Sequence, residues 1–438
     1  KNTIFKNNPN DDTPRSITLI GLTPTDNDPH KGGQHGWFLK FNVDGETKKV
    51  VYKPRDVKID NGLVGKDGAF DKFNTMLEDL SRVDNVERPK LNTYKFLAKE
   101  DYGYAQFVTS KPEDHVFTTE KEAKDFYYQY GVMTGLARMF MMGDQHHGNV
   151  IFHDKKPTLI DTEMSFNPGV GNHDNPAAQI MLNMQLSSFY EQHLDIDVSN
   201  IDSMNFRVEY KGSSEKTGNS IKDNLNGKED KDVSIQYKED IERGMRDFLT
   251  IMSENKNQDT MIEHIDSMKD VDCRFHVRAT PDQLGRLREH FYSNSGTKGL
   301  EGKIETLEDF KNVYKNNSLI RNMINTEVKA SDKPNLGVVV EMVLQTMKGD
   351  VPYFTQKSGG TDIYGTDGEA LKFDTKLLKD ITNFLEDQGV MVHKDNGKTD
   401  SYFGNVTPLK MMEDNIRSIG TEKGNEHYMY VLEKTIPN

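Results

Sequence analysis

Cysteine is almost absent from this sequence, and two kinds of stabilising site are absent with it. A single cysteine, Cys273, stands among 438 residues. An intrachain disulfide and a zinc site with two thiolate ligands are therefore both excluded. The lack of disulfides suits a reducing compartment. We expect Cys273 itself to be a small, buried apolar residue.

Positive charge and long apolar runs are also scarce. The chain has 56 Lys and Arg against 70 Asp and Glu, a net charge of −14. This balance argues against DNA or RNA as a partner, because phosphate backbones need clustered basic residues. No window approaches the roughly eighteen apolar residues of a membrane span, and the polar N-terminus has no signal-peptide core. The remaining composition, 34% hydrophobic and 29% charged, is that of a globular protein with room for two or three lobes.

Short strands and amphipathic helices alternate along the chain. A hairpin is predicted over 37–52 around the turn Asp44-Gly45, and a second over 150–160. One further strand is predicted within the polar first segment, at 16–22. Residues 211–233 are poor in apolar residues and predict a flexible loop. Helical spacing of apolar residues predicts helices at 66–82, 118–142, 235–268, 280–293, 304–325 and 371–389.

The strongest chemical signal is an acidic and amide-bearing loop followed by a second acid. Asp144-x-His146-x-x-Asn149 precedes the second hairpin, and Asp161 follows it. Kinase chemistry needs one Asp to orient the attacking hydroxyl, and an Asn and a second Asp to hold Mg²⁺. The order of these residues resembles the catalytic loop of lipid kinases. Upstream, Lys53 ends an apolar strand, where kinase folds place a lysine that contacts phosphates. Taken alone, each feature also fits a polar loop or an ordinary edge-strand lysine.

Taken together, the motifs resemble the dehydratase domain of the type II lanthipeptide synthetases, the LanM-like enzymes. Six motifs, the fourth of them in two parts, follow the order of that family over most of the chain. They are Asp28–Gly33, Val51–Arg55, Gly103–Val108, Gly143–Asn149 with Pro157–Glu163, Arg274–Thr280, and Gly349–Phe354.

The resemblance implies an enzyme that phosphorylates a Ser or Thr hydroxyl with ATP and then eliminates the phosphate. Asp144 and His146 would act on the substrate hydroxyl. Arg274 and Thr280 match the pair that this family uses for elimination, and Asp28 and His30 match further site positions. Thr280-Pro281 is equally a natural start for a helix. The implied binding residues are Lys53, Arg55 and Glu163 for ATP, and Asn149 and Asp161 for Mg²⁺.

The fold implied is an α+β, two-lobed, kinase-like fold, closest to the lipid kinases, with additional C-terminal helical elements for elimination. We expect a polar lead-in over 1–27 and a β-rich N-lobe over 28–110. A helical C-lobe over 111–270 would carry the catalytic and metal loops. The elimination elements would occupy 271–438.

Two departures from the family pattern shape the expected partners. The family has a long helical region before the first motif, where this chain has about 27 residues. The family also carries a zinc cyclase with two Cys ligands, which one cysteine cannot supply, so a separate cyclase partner would have to close a ring. The substrate is expected to be a precursor peptide in the bacterial cytoplasm, or a host protein met by a secreted effector in the host cytosol. The missing front region and the missing cyclase favour the host protein. A plain protein or lipid kinase and a catalytically dead binding protein are the alternatives.

Overall fold

The computed structural model describes several separate ranges of the chain. The described residues are 3–5, 16–25, 34–111, 114, 117, 119–142, 149–166, 237–275, 304, 306–330, 336–347, 351–366, 368–371, 375–390 and 407–435. Helices and strands are mixed along them, which confirms the predicted combination of α and β structure. The kinase-like arrangement of two lobes and the domain boundaries stay predictions. The segments 211–233 and 280–293 lie outside the described residues.

An antiparallel sheet of five strands occupies the N-terminal part of the chain, with the order β1-β2-β3-β5-β4. The predicted hairpin is confirmed as β2 and β3, and its turn residues Asp44 (φ 54°) and Gly45 (φ 91°) both have positive φ. Two-residue hairpin turns of this kind require such angles. The strands are β1 (Ile17–Pro24), β2 (Trp37–Val43), β3 (Glu46–Lys53), β4 (Phe96–Ala98) and β5 (Gly103–Gln106).

Two smaller sheets, eleven α-helices and a short 3-10 helix at Thr3–Phe5 complete the described part. The second predicted hairpin is confirmed as β6 (Val150–His153) and β7 (Lys156–Leu159). A three-stranded sheet consists of β8 (Asp272–Phe275), β9 (Phe354–Lys357) and β10 (Ile363–Tyr364). The helices are α1 (Lys58–Val64), α2 (Ala69–Asp84), α3 (Glu120–Met139), α4 (Lys238–Met252), α5 (Asn255–Asp266), α6 (Leu307–Asn316), α7 (Ser318–Ala330), α8 (Leu336–Met347), α9 (Thr375–Asp387), α10 (Pro408–Ser418) and α11 (Glu422–Thr435). None of the described helices has the length and apolar composition needed to cross a membrane.

Helix α3 forms the centre of the main hydrophobic core. Thr119 and Glu122 start it with reciprocal side-chain caps to the backbone. Every residue from Phe126 to Met139 is buried, so the helix is enclosed on all sides rather than along one face. Helices α2, α4, α5, α10 and α11 and the β6–β7 hairpin contribute to the same core, and Cys273 is buried in it, as predicted. A second core lies among α6, α7, α8 and α9.

Two glycines let α3 and α4 cross in close contact. A Cβ added to Gly131 would lie 1.9 Å from the carbonyl oxygen of Ile241, and one added to Gly244 would lie 2.0 Å from that of Tyr128. Both obstacles are backbone atoms, so only a shift of the helices could relieve them.

We therefore expect Gly131→Ala to lower the free energy of unfolding by about 1–3 kcal/mol or more, as overpacked cores do. Urea unfolding followed by circular dichroism measures the change. Gly21→Ala is the control, because an added Cβ there meets only the Lys40 side chain, at 3.5 Å. Equal stability of the two variants would show that the helices can separate at little cost.

Candidate active site

A buried carboxylate on α1 holds two basic residues, one at the end of β3 and one just after it. The side chain of Asp60 is fully buried. It accepts hydrogen bonds from Lys53 Nζ at 3.3 Å and from Arg55 Nη1 at 2.6 Å and Nη2 at 3.2 Å. It also accepts the backbone N–H of Thr162 at 3.3 Å. The start of α1 therefore fixes the two cations and connects them to the segment after β7.

The β6–β7 hairpin brings the two predicted metal ligands to its open end. Val150 pairs with Leu159, and the Ile160 N–H donates to the carbonyl oxygen of Asn149 at 3.0 Å. Asp161 follows directly, and its Oδ1 accepts from Lys53 Nζ at 3.1 Å and from Arg55 Nη2 at 2.7 Å. The hairpin thus places the backbone of Asn149 next to the segment whose Asp161 side chain contacts Lys53, although about a hundred residues separate the lysine from the two predicted ligands.

Glu163 joins this group to the predicted elimination arginine. One of its carboxylate oxygens pairs with Arg55 Nε, and the other accepts from Nη1 of Arg274 on β8. Arg274 is itself buried, with its guanidinium carbon 4.9 Å from the ring centroid of Tyr353. One continuous set of ion pairs consequently runs from Lys53 to Arg274.

Alternating charges shift the pKa values of this network. Burial alone would raise the pKa of the Asp161 carboxyl, but the charges of Lys53 and Arg55 outweigh it and hold that pKa well below its usual range. Burial also acts to raise the pKa of Asp60, but the charges of Arg55 and, to a smaller extent, Lys53 outweigh it, and the pKa is lowered. Burial acts to lower the pKa of the Arg55 guanidinium, but the charges of Asp60, Glu163 and Asp161 outweigh it and raise that pKa. The carboxyl groups of Asp60 and Asp161 are therefore ionised at neutral pH.

We expect Asp60→Asn to lower the free energy of unfolding at pH 7 by about 3–5 kcal/mol, because two buried cations lose a shared partner. The folded-state pKa of Asp60 lies below its unfolded value of about 3.9, so its contribution is present above that pH and is lost as the pH falls below it. The difference between wild type and variant should therefore shrink from about pH 4 downward, in urea unfolding at a series of pH values.

Asp79→Asn is the matched control, since the Asp79–Arg82 pair is exposed and such pairs contribute little. If Asp60→Asn were as stable as this control, Asp60 would not hold the two cations.

The donor set at the hairpin end fits a hard divalent cation. Asp161 supplies a carboxylate and Asn149 an amide oxygen, and Asn149 is buried, with 8% of its surface exposed. No group of three or more metal-ligating His, Cys, Asp or Glu side chains occurs among the described residues. Mg²⁺ in phosphoryl-transfer sites is often bound by only one or two protein ligands, with phosphates and water completing the shell. The residues present therefore fit the predicted magnesium site.

The described residues include six of the eleven side chains predicted from sequence, and all but Asn149 lie in the ion-pair network. Two residues of this region had no predicted role: Asp60, whose only sequence signal is an acid between the apolar positions Ile59 and Leu63, and Tyr353, which stands in a motif without an assigned function. The predicted residues that lie outside the described part of the chain are Asp28, His30, Asp144, His146 and Thr280.

Part of the chain is similar in sequence to known proteins. Residues 5–194 match a family model described as a domain of unknown function, DUF4135. One curated relative is a lacticin biosynthesis protein. It is the lacticin 481/lactococcin biosynthesis protein LcnDR2 of Lactococcus lactis subsp. lactis, 29% identical over 141 residues.

The matched residues make up 31% of this chain and 14% of LcnDR2, so the chain spans only a small part of that relative's length. This similarity agrees with the resemblance drawn from the motifs, but it shows only that part of the chain is similar to a lacticin biosynthesis protein. That the chain acts as a dehydratase alone stays a prediction.

Proposed function

We propose that this chain modifies a peptide by ATP-dependent dehydration of Ser or Thr, through phosphorylation followed by elimination of the phosphate. The observation that carries the proposal is the carboxylate of Glu163, which pairs with both Arg55 and Arg274. Arg55 belongs to the residues predicted to bind ATP, and Arg274 to those predicted for elimination. A chain with only one of the two activities would not need a buried network that joins the ATP-binding residues to the elimination residues.

For phosphorylation, the described residues provide cations held in fixed positions. Lys53 and Arg55 would bind the ATP phosphates, and their contacts with Asp60 and Asp161 hold both cations before the nucleotide arrives. Asn149 and Asp161 would bind Mg²⁺, which would offset the negative charge of the nucleotide phosphates. Asp144 and His146, which lie outside the described residues, are proposed to orient the substrate hydroxyl and accept its proton.

For elimination, a base removes the proton from Cα of the phosphorylated residue, and the Cα–Cβ double bond forms as the Cβ–O bond breaks. The phosphate leaves with the electron pair of that bond. Arg274 would donate hydrogen bonds to the leaving phosphate, which a planar guanidinium can do through two N–H groups at once. Thr280, outside the described residues, is proposed to add a further hydrogen bond.

The choice between substrate classes follows from the comparison. LcnDR2 is a protein of lacticin and lactococcin biosynthesis, and this relationship favours a precursor peptide over a host protein. A secreted effector that dehydrates a folded host protein would need the same site residues. The substrate must therefore be established by experiment with both classes.

The test is intact mass spectrometry of a Ser- and Thr-containing precursor peptide and of a folded protein, each incubated with the enzyme, ATP and Mg²⁺. The proposal predicts that the peptide loses the mass of one water per modified residue, and only with ATP. A stable gain of phosphate would instead make the chain a plain kinase. Absence of any mass change in either substrate would favour the binding-protein alternative.

A further inference from the structure

The segment Val351–Phe354 is part of a motif that the proposed chemistry leaves without a role. It leads directly into β9, which pairs antiparallel with β8 in a register that sets Arg274 opposite Thr355 and Phe275 opposite Phe354. Phe354 is buried against α8 and β10. The segment is therefore anchored beside the strand that carries the elimination arginine.

The ring of Tyr353 lies against the guanidinium of Arg274. Arg274 Cζ is 4.9 Å from the ring centroid, and both side chains are buried, with 6% and 5% of their surfaces exposed. Glu163 contacts the same guanidinium along its edge through Nη1. An edge contact and a face contact together restrict both the direction and the plane of the guanidinium.

A buried glutamine on α8 holds the backbone of Tyr353. The Tyr353 N–H donates to Gln345 Oε1 at 2.6 Å, and Gln345 Nε2 donates back to the Tyr353 carbonyl at 3.4 Å. Gln345 is almost fully buried and also contacts Glu341 at 3.1 Å. The backbone that carries the aromatic ring is thus held by α8 on one side and by the β8–β9 pairing on the other.

We propose that Tyr353 is a positioning residue for elimination, whose ring sets the plane of the Arg274 guanidinium toward the leaving phosphate. This inference rests on the proposed function. Burial and the nearby charge of Glu163 raise the pKa of the Tyr353 hydroxyl above its usual range, so the side chain is a neutral phenol. Because the stacking contact uses the ring face, it does not require the hydroxyl, and phenylalanine should preserve it.

The experiment measures two rates separately in the full chain. Phosphorylation is followed as ADP release with an unmodified peptide, and elimination as phosphate release from a synthetic phosphothreonine peptide. Tyr353→Leu should lower kcat for elimination by about tenfold or more, the scale of a desolvated cation–π contact, with a smaller effect on KM. Its phosphorylation rate should stay near that of wild type, so phosphorylated peptide accumulates. Tyr353→Phe should eliminate at close to the wild-type rate.

Gln345→Leu is a second variant, which keeps the Tyr353 ring but removes the two hydrogen bonds from Gln345 to the Tyr353 backbone. It should show the same selective loss of elimination to a smaller degree, so the proposal stays testable if Tyr353→Leu folds poorly.

Three results would overturn the inference: elimination at the wild-type rate in Tyr353→Leu, an equal defect in Tyr353→Phe, or a parallel loss of phosphorylation. The second would assign the role to the hydroxyl, and the third would make Tyr353 a general structural residue. A wild-type chain that neither phosphorylates nor eliminates would instead contradict the proposed function itself.

Discussion

Asp161→Asn is expected to abolish ATP-dependent modification, with a fall in rate of about a thousandfold or more. In the structure, one oxygen of this carboxylate accepts hydrogen bonds from both Lys53 and Arg55. In the proposed mechanism, the same group binds Mg²⁺. The amide of asparagine has a similar shape but no charge, so it would weaken the fixation of both cations and the binding of the metal.

The measurement is ADP release with a peptide substrate, accompanied by intact mass spectrometry. Asp79→Asn is the matched control, because that carboxylate lies on the exposed surface of α2. Thermal unfolding of both variants separates a loss of activity from a loss of fold. Persistent activity in a folded Asp161→Asn protein would remove the metal assignment and, with it, the proposed site.

Arg274→Met is expected to convert the enzyme into one that stops at the phosphorylated product. The substitution removes the guanidinium that would stabilise the departing phosphate, while the contacts of Lys53 with Asp60 and Asp161 remain in place. Elimination should fall by at least about a hundredfold, the scale of losing a preorganised donor to developing charge. Phosphorylation should continue.

The readout is the mass of the peptide product, which should gain one phosphate per modified residue instead of losing one water. Arg274→Lys is the informative companion, because it keeps the charge but loses the planar fork of donors, and should eliminate at an intermediate rate. If wild type and Arg274→Met both gave the same stable phosphopeptide, the chain would be a kinase. The pairing of Arg274 with Glu163 would then be structural.

Local features of the site were predictable from sequence. The turn Asp44-Gly45 and the alternation around it predicted the β2–β3 hairpin that ends at Lys53. The turn between Val150 and Leu159 predicted the hairpin that brings Asn149 and Asp161 together. Both predictions succeed because hairpin geometry is set by a few adjacent residues.

Contacts between distant segments were not predictable in the same way. In the sequence, Asp60 is one of 70 acidic residues. Only its contacts with Lys53, Arg55 and the segment after β7 show that it is buried between the two cations. The pairing of Arg274 with Glu163 joins residues 111 positions apart, a separation over which spacing alone predicts nothing. The roles of Asp28, His30, Asp144, His146 and Thr280 stay predictions from the family resemblance.

The central claim is that one chain adds a phosphate and then removes it, and a rapid-quench time course of the wild-type reaction tests it most directly. Mass spectra of a precursor peptide mixed with enzyme, ATP and Mg²⁺ should show a phosphorylated species that rises first and then declines as the dehydrated product, lighter by one water, accumulates. A phosphorylated product that persists, or dehydration that proceeds without ATP, would contradict the account.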